Sequence, residues 1–216
     1  MCNFTVGSII LTESQKTPCF FDTKPDITVA IKPLNIGLLG HMGAGKDAAA
    51  ALLSMRGYQR LAFADSVRIE VAKCVMGEAF PVKLRLNQWL ERDYRAATVD
   101  EVWTKPTSAR MRRMLQWHGT EYRRSQDPDY WIKATMGRLP SVGRYVFSDV
   151  RFPNEIKAIR ERGGVIWRIK RDAARDGIEG HLSESYIDDI VVDAEIDNSG
   201  TLIELADRLR WLLGSQ

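Results

Sequence analysis

The residues with the clearest chemistry are Gly40-His41-Met42-Gly43-Ala44-Gly45-Lys46-Asp47. An apolar run, Leu34 to Leu39, precedes them, and an alanine-rich run, Ala48 to Met55, follows. That order predicts a strand, a glycine loop and a helix, with the spacing G-x-x-x-x-G-K of a phosphate-cradling loop. Glycines let backbone N–H groups curl around phosphate oxygens, and the next helix points its positive end at the same anion. Gly40, Gly43, Ala44 and Gly45 would form the cradle, and Lys46 adds a positive charge for β- and γ-phosphates. The usual hydroxyl residue after the lysine is replaced by Asp47. Its carboxylate could hold Mg²⁺ or one of its waters. It would also sit well as an acid in the first turn of a helix.

Two further acids fall where a parallel sheet places ligands, at the carboxyl ends of strands. A second strand over Gln59 to Phe63 leads to Asp65, a candidate base, metal organiser or helix N-cap. Tyr145 to Phe147 read as a buried strand, and Asp149 and Arg151 follow it. Asp149 could organise Mg²⁺ waters or fix Arg151 by pairing with it. Pro153 can open the next helix, which Gly163-Gly164 closes. Val165 to Ile169 predict a fourth strand, with Arg168, Lys170 and Arg171 at or near its end. Ala194 to Ile196 predict the last strand. The Asp197 to Thr201 turn follows, then a helix over Leu202 to Leu213 with Leu202, Leu205, Leu209 and Leu212 as its core stripe.

Residues 78–140 are helical and polar in pattern, with arginines and lysines interleaved with Trp89, Trp103, Trp117, Tyr122, Tyr130 and Trp131. Cations among aromatics can grip a phosphorylated nucleotide and stack its base. Residues 172–190, from which His181 could make a contact, suit a closing lid that excludes water during transfer. Residues 1–33, interrupted by Pro18, Pro25 and Pro33, form an N-terminal extension without an assigned role.

The totals are permissive. A chain of 216 residues with 44% hydrophobic content suits one α/β domain with an insertion. A net charge of +3 does not announce bulk attraction to nucleic acid. Cys2, Cys19 and Cys74 form no C-x-x-C pair, which fits a reducing cytoplasm. No apolar run reaches membrane-spanning length, and the N-terminus lacks signal-peptide patterning.

The glycine loop, Phe63-Ala64-Asp65, Leu115 to Arg124 with Trp131, Ser148 to Glu155, His181 with Ser183-Glu184, and Asp197 to Thr201 occur in an order that resembles the phage-type deoxynucleoside monophosphate kinases. Dephospho-coenzyme A kinase is a cousin. The resemblance covers most of residues 34–213, and an Asp after the loop lysine also occurs in that family. It implies a three-layer α/β sandwich on a five-stranded parallel sheet of order 2-3-1-4-5, spanning residues 34–216, with a helical acceptor insert and an arginine-bearing lid. It implies ATP and Mg²⁺ as cofactors, with the turn at Asn198 by the adenine and Asp47 and Asp149 near the metal. Asp65, Arg124, Trp131, Asp149, Arg151 and Arg168 fall on the acceptor side. Lys46, Asp65 and Arg171 are the catalytic candidates, with Arg168 and Arg171 as phosphate clamps. The expected activity is phosphoryl transfer from ATP to a deoxynucleoside 5′-monophosphate in the cytoplasm, host cytoplasm for a phage protein. A homodimer is left open. A rival keeps the fold but phosphorylates 5-hydroxymethyluracil in DNA, with Asp65 as base. A rival of another class is a nucleotide-binding regulatory module without turnover.

Overall fold

The computed structural model describes residues 35–78, 88–172 and 189–214. The N-terminal extension, part of the insert and nearly all of the expected lid, including His181, Ser183 and Glu184, lie outside the described residues.

Strand β1 (Asn35–Leu39) is wholly buried and forms the centre of a five-stranded sheet. A strand covered on both faces reads as a continuous apolar run, and this one does. The loop residues 40–45 lead into helix α1 (Lys46–Ser54). Strand β2 (Gln59–Leu61) leads into α2 (Phe63–Val75). Helices α3 (Gln88–Ala96), α4 (Val99–Trp103) and α5 (Ala109–Gln116) follow, then a π-helical stretch over Trp117–Arg124 and α6 (Tyr130–Met136). The chain then returns to the sheet as β3 (Tyr145–Phe147), α7 (Pro153–Glu161), β4 (Val165–Lys170), β5 (Ala194–Asp197) and α8 (Leu202–Gly214).

All strand pairs are parallel and the order is β2-β3-β1-β4-β5, as the resemblance implied. In β1 the alternation splits the core. Ile36 and Leu38 face α1 and α8, joined there by Leu53, Trp167, Ile196, Leu205 and Leu209. Leu39 faces the other layer, with Phe63, Phe147, Val150, Ile156 and Ile159. Gly37 lies under α7, where an added Cβ would meet side chains of Ile166, Ile159 and Val150. A third cluster joins α2 to the insert through Val71, Cys74, Leu90, Tyr94, Val102, Met111 and Met114.

Two local expectations need correction. Strand β2 ends at Leu61, not Phe63, because Phe63 already begins α2. Asp65 therefore sits inside the first turn of α2, and Ala62 takes the N-cap position. On α8 the buried stripe is Leu205, Leu209 and Leu213, with Leu212 partly buried, while Leu202 is exposed at the helix start.

The glycine loop is held from outside. Gly45 caps α1 with φ +95°, a left-handed conformation that L side chains rarely adopt, and an added Cβ would fall on the Asn198 amide nitrogen. Gly45→Ala should therefore destabilise the fold by about 1–3 kcal/mol, read as a lower urea midpoint at unchanged slope.

Candidate phosphate and acceptor site

The loop after β1 is packed tightly against the sheet. Gly40 (φ +148°) passes so close to the Ile169 carbonyl that a Cβ would collide with it. Asn198, at the end of β5, donates from its side chain to the Ala44 carbonyl at 2.8 Å and from its backbone to Lys170 at 2.7 Å. It thus clamps the loop against the sheet; its adenine-side position remains an expectation from resemblance. Lys46 Nζ donates to the Gly40 and His41 carbonyls at 2.6 and 2.8 Å, so the loop carries its own cation.

Asp47 follows on the exposed first turn of α1. Its two oxygens face two cations: Arg60 Nη2 at 2.9 Å and Lys105 Nζ at 3.8 Å. Arg60 projects from β2 and also stands 3.9 Å from Asp65. Asp65 is half-exposed and meets Arg60 rather than the neighbouring cavity.

Asp149 does a specific structural job. Its carboxylate accepts from the Phe63 and Ala64 amides at 2.9 and 2.8 Å, capping α2 from a residue 86 positions away. Burial pushes its pKa up, against the pull of those two amides and of Arg151.

Beside the loop opens a cavity of about 550 Å³, walled by α2, the insert and the start of α7. It begins at Met42 of the glycine loop. Its apolar walls include Phe63, Val67, Leu115, Trp131 and Phe152, and its cations are Arg68, Lys105, Arg112, Arg124 and Arg151. Gln116, Thr107 and Thr120 add neutral polar groups, and among the described residues Asp149 and Glu155 are the acids lining it.

The expected acceptor-side residues divide. Arg124, Trp131, Asp149 and Arg151 line this cavity. Trp131 is buried and its indole N–H donates to the Gly119 carbonyl at 2.8 Å, so it forms wall rather than a free stacking plate. Arg124 lies 3.8 Å over the Phe152 ring and pairs with Glu155. Arg168 lies elsewhere: it is buried in β4, pairs with Glu195 on the neighbouring strand and donates to the Ile190 carbonyl. Arg171 is exposed just past β4 and does not line the cavity.

Behind the cavity, Glu70 of α2 accepts from Arg123 and from Tyr130 Oη at 2.8 Å, and lies 3.2 Å from His118 Nε2. Burial works to raise this carboxyl, but hydrogen bonds from His118, Arg123 and Tyr130 outweigh it and bring it to about 2. Fully buried His118 also meets Tyr94 Oη at 2.7 Å through Nδ1. This network holds the π-helical stretch to α2, α3 and α6.

Several contributors escaped the sequence reading. Arg60 was an unremarked strand residue, and Arg68 an unremarked helix residue. Arg68 donates to Val102 and to Thr107 Oγ1, the latter at 2.9 Å, and burial lowers its pKa against the opposing influence of Asp65. Glu155 stood only as the end of a motif. The one available signal was periodic: Glu155 is the third residue of a helix opened by Pro153, the position from which an acid reaches back to cap. It accepts from the Arg151 and Phe152 amides at 2.8 and 3.2 Å.

No family model matches the chain, and no curated protein sequence matches it. Among solved structures it is similar to dephospho-CoA kinase from Campylobacter jejuni, at 12% identity and TM-score 0.42, covering 85% of this chain and 98% of that one. It is similar to an unliganded sugar kinase from Janibacter, at 14% identity and TM-score 0.41, covering 85% and 96%. It is also similar to the Thermus thermophilus protein TT1252, at 21% identity and TM-score 0.40, covering 85% and 97%. The fold class rests on the chain's own strand order and pairing: a three-layer α/β sandwich with a glycine phosphate loop after its central strand. Among the described residues no helix is long and apolar enough to cross a membrane, and no cluster of three or more His, Cys, Asp or Glu could hold a metal by itself.

Glu155 makes a pH prediction. Burial raises its carboxyl to about 7 despite the Arg124 guanidinium, with the Asp149 charge adding to the rise. A carboxyl whose folded pKa exceeds its unfolded value near 4.5 contributes stability that is full below 4.5 and lost as pH climbs through about 7. Wild type should therefore lose melting temperature relative to Glu155→Gln between pH 4.5 and 7, and the difference should level off above.

Proposed function

We propose that this protein transfers the γ-phosphoryl group of ATP to the 5′-phosphate of a deoxynucleoside monophosphate, giving the diphosphate. The observation that carries the reading is the cavity: it starts at the glycine loop and combines aromatic walls with Lys105, Arg112, Arg124 and Arg151. A phosphorylated aromatic molecule suits that lining, and its phosphate end would meet the loop's nucleotide. The general likeness of the chain's motif order to monophosphate kinases agrees with it.

The division of labour follows from charge. The loop amides and Lys46 bind the donor phosphates. Arg124 and Arg151 are held at the cavity wall, where they would orient the acceptor phosphate bidentately. The acceptor is already an anion, so alignment and neutralisation, rather than a strong base, are what the reaction needs. Asp47 is an exposed hard oxygen donor on the turn beyond the loop, which suits Mg²⁺ or its waters. Asp149, with both oxygens already taking amides, suits contact through water. Bound there with ATP, the ion would supply charge neutralisation on the phosphate oxygens.

The DNA-hydroxyl alternative would call on Asp65 as general base. Asp65 faces Arg60 at 3.9 Å and is outside the cavity lining, which favours the mononucleotide.

The test is transfer of label from γ-labelled ATP to a panel of four deoxynucleoside monophosphates, with duplex DNA carrying 5-hydroxymethyluracil in parallel. Label in a soluble diphosphate is expected. Label on the polymer would replace this acceptor with the DNA base, and label on neither would leave a binding module. Lys46→Ala should lower kcat by about 10²–10³-fold, on the scale of one lost electrostatic contact to the transition state. Near-normal turnover in that variant would remove Lys46 from the mechanism.

A further inference from the structure

The insert reaches the donor site through one side chain. Lys105 lies on the segment between α4 and α5. It lines the acceptor cavity, and its Nζ stands 3.8 Å from Asp47 Oδ2, on the turn that follows the phosphate loop. Among the described residues it is the cation that touches both halves of the site: Arg112, Arg124 and Arg151 line the cavity without an ion pair to the loop helix, and Arg60 pairs with that helix without lining the cavity.

The segment is braced for this. Arg68 of α2 donates to the Val102 carbonyl on one side of Lys105 and to Thr107 Oγ1 at 2.9 Å on the other. Thr104 N donates to Asp100 O at 2.9 Å, closing α4 just before it. The backbone is thereby braced while the lysine side chain stays largely exposed, its amine paired with Asp47. Asp47 Oδ2 faces that amine at 3.8 Å, and Arg60 pairs with the other carboxylate oxygen at 2.9 Å.

We propose that Lys105 is the catalytic cation of the transfer junction, supplied by the insert and bound to the phosphoryl group as it crosses from loop to cavity. The proposal rests on the phosphotransferase reading above. In the step, an oxygen of the acceptor phosphate dianion forms a bond to the γ-phosphorus. The bond from that phosphorus to the β,γ-bridging oxygen breaks, and its electron pair leaves with ADP. No proton is transferred, and Lys105 stays protonated and neutralises the equatorial oxygens. Positive charge aimed at the transferring group lowers the barrier without tightening either ground state.

The test uses the full chain, γ-labelled ATP and the four deoxynucleoside monophosphates, comparing wild type with Lys105→Ala and Lys105→Met. Methionine keeps the apolar stem and deletes the charge, so a folding defect in the alanine variant does not decide the matter. In both, kcat should fall about 100-fold while KM for ATP and for the acceptor stays within about threefold, with an unchanged melting temperature for the methionine variant. A methionine variant whose kcat stays within about threefold of wild type, or whose loss is confined to acceptor KM, overturns the proposal while the phosphotransferase reading stands. Absence of transfer by wild type to every acceptor overturns both together.

Discussion

The site depends on one contact, the carboxylate of Asp149 against the amides of Phe63 and Ala64. The first amides of a helix have no partner within it, and here an acid from the turn after β3 accepts from two of them. The contact ties the end of β3 to the start of α2. Three consequences follow. The chain leaves the strand at Leu61, because the next amides point to Asp149 rather than to a neighbouring strand. Helix α2 starts beside the glycine loop, with Phe63 stacked on Phe147 at 5.4 Å between centroids. And α2 becomes the post against which the described helices of the insert pack, through Val71, Cys74 and their partners.

Each acid around the site is matched to donors of its own. Asp149 takes two amides, Glu155 takes two amides and Arg124, Glu70 takes Arg123, Tyr130 and His118, and Asp47 takes Arg60 and Lys105. Unpaired charge is costly where water is excluded, so this matching is what lets acids stand beside a cavity lined by several cations. The cations left facing the cavity then outnumber the acids. The electrostatic character of the site comes from that local excess and not from the net charge of +3 over the chain.

What the sequence made legible was local or carried by motif order. The strand, loop and first helix follow from a few adjacent residues, since a buried parallel strand is apolar throughout and a phosphate loop needs its glycines in place. The strand order came from resemblance and agrees with the observed pairing. The end of β2 was misread because Leu61-Ala62-Phe63 is apolar in either state, and the deciding partner is 86 residues away. Arg60 and Arg68 were passed over for the same reason. A lone arginine in a strand or helix gives no pattern, and their partners Asp47, Val102 and Thr107 meet them only in the fold. Arg168, placed by its strand end among the expected ligands, lies in β4 beside Glu195, which the adjacent register brings to it.

The π-helical stretch over Trp117–Arg124 shows how the insert serves the cavity. A wider turn shifts the faces of a helix, and such turns occur often at functional sites. Gly119 offers its carbonyl to Trp131, and Gly119 and Thr120 border the cavity, as does Arg124 at the far end of the stretch. Tyr122 and His118 point the other way, into the aromatic cluster with Trp117 and Trp131. The Glu70 network pins His118 and Arg123 from behind. The buried histidine is part of the brace, since its two ring nitrogens face Tyr94 and Glu70, away from the cavity lining.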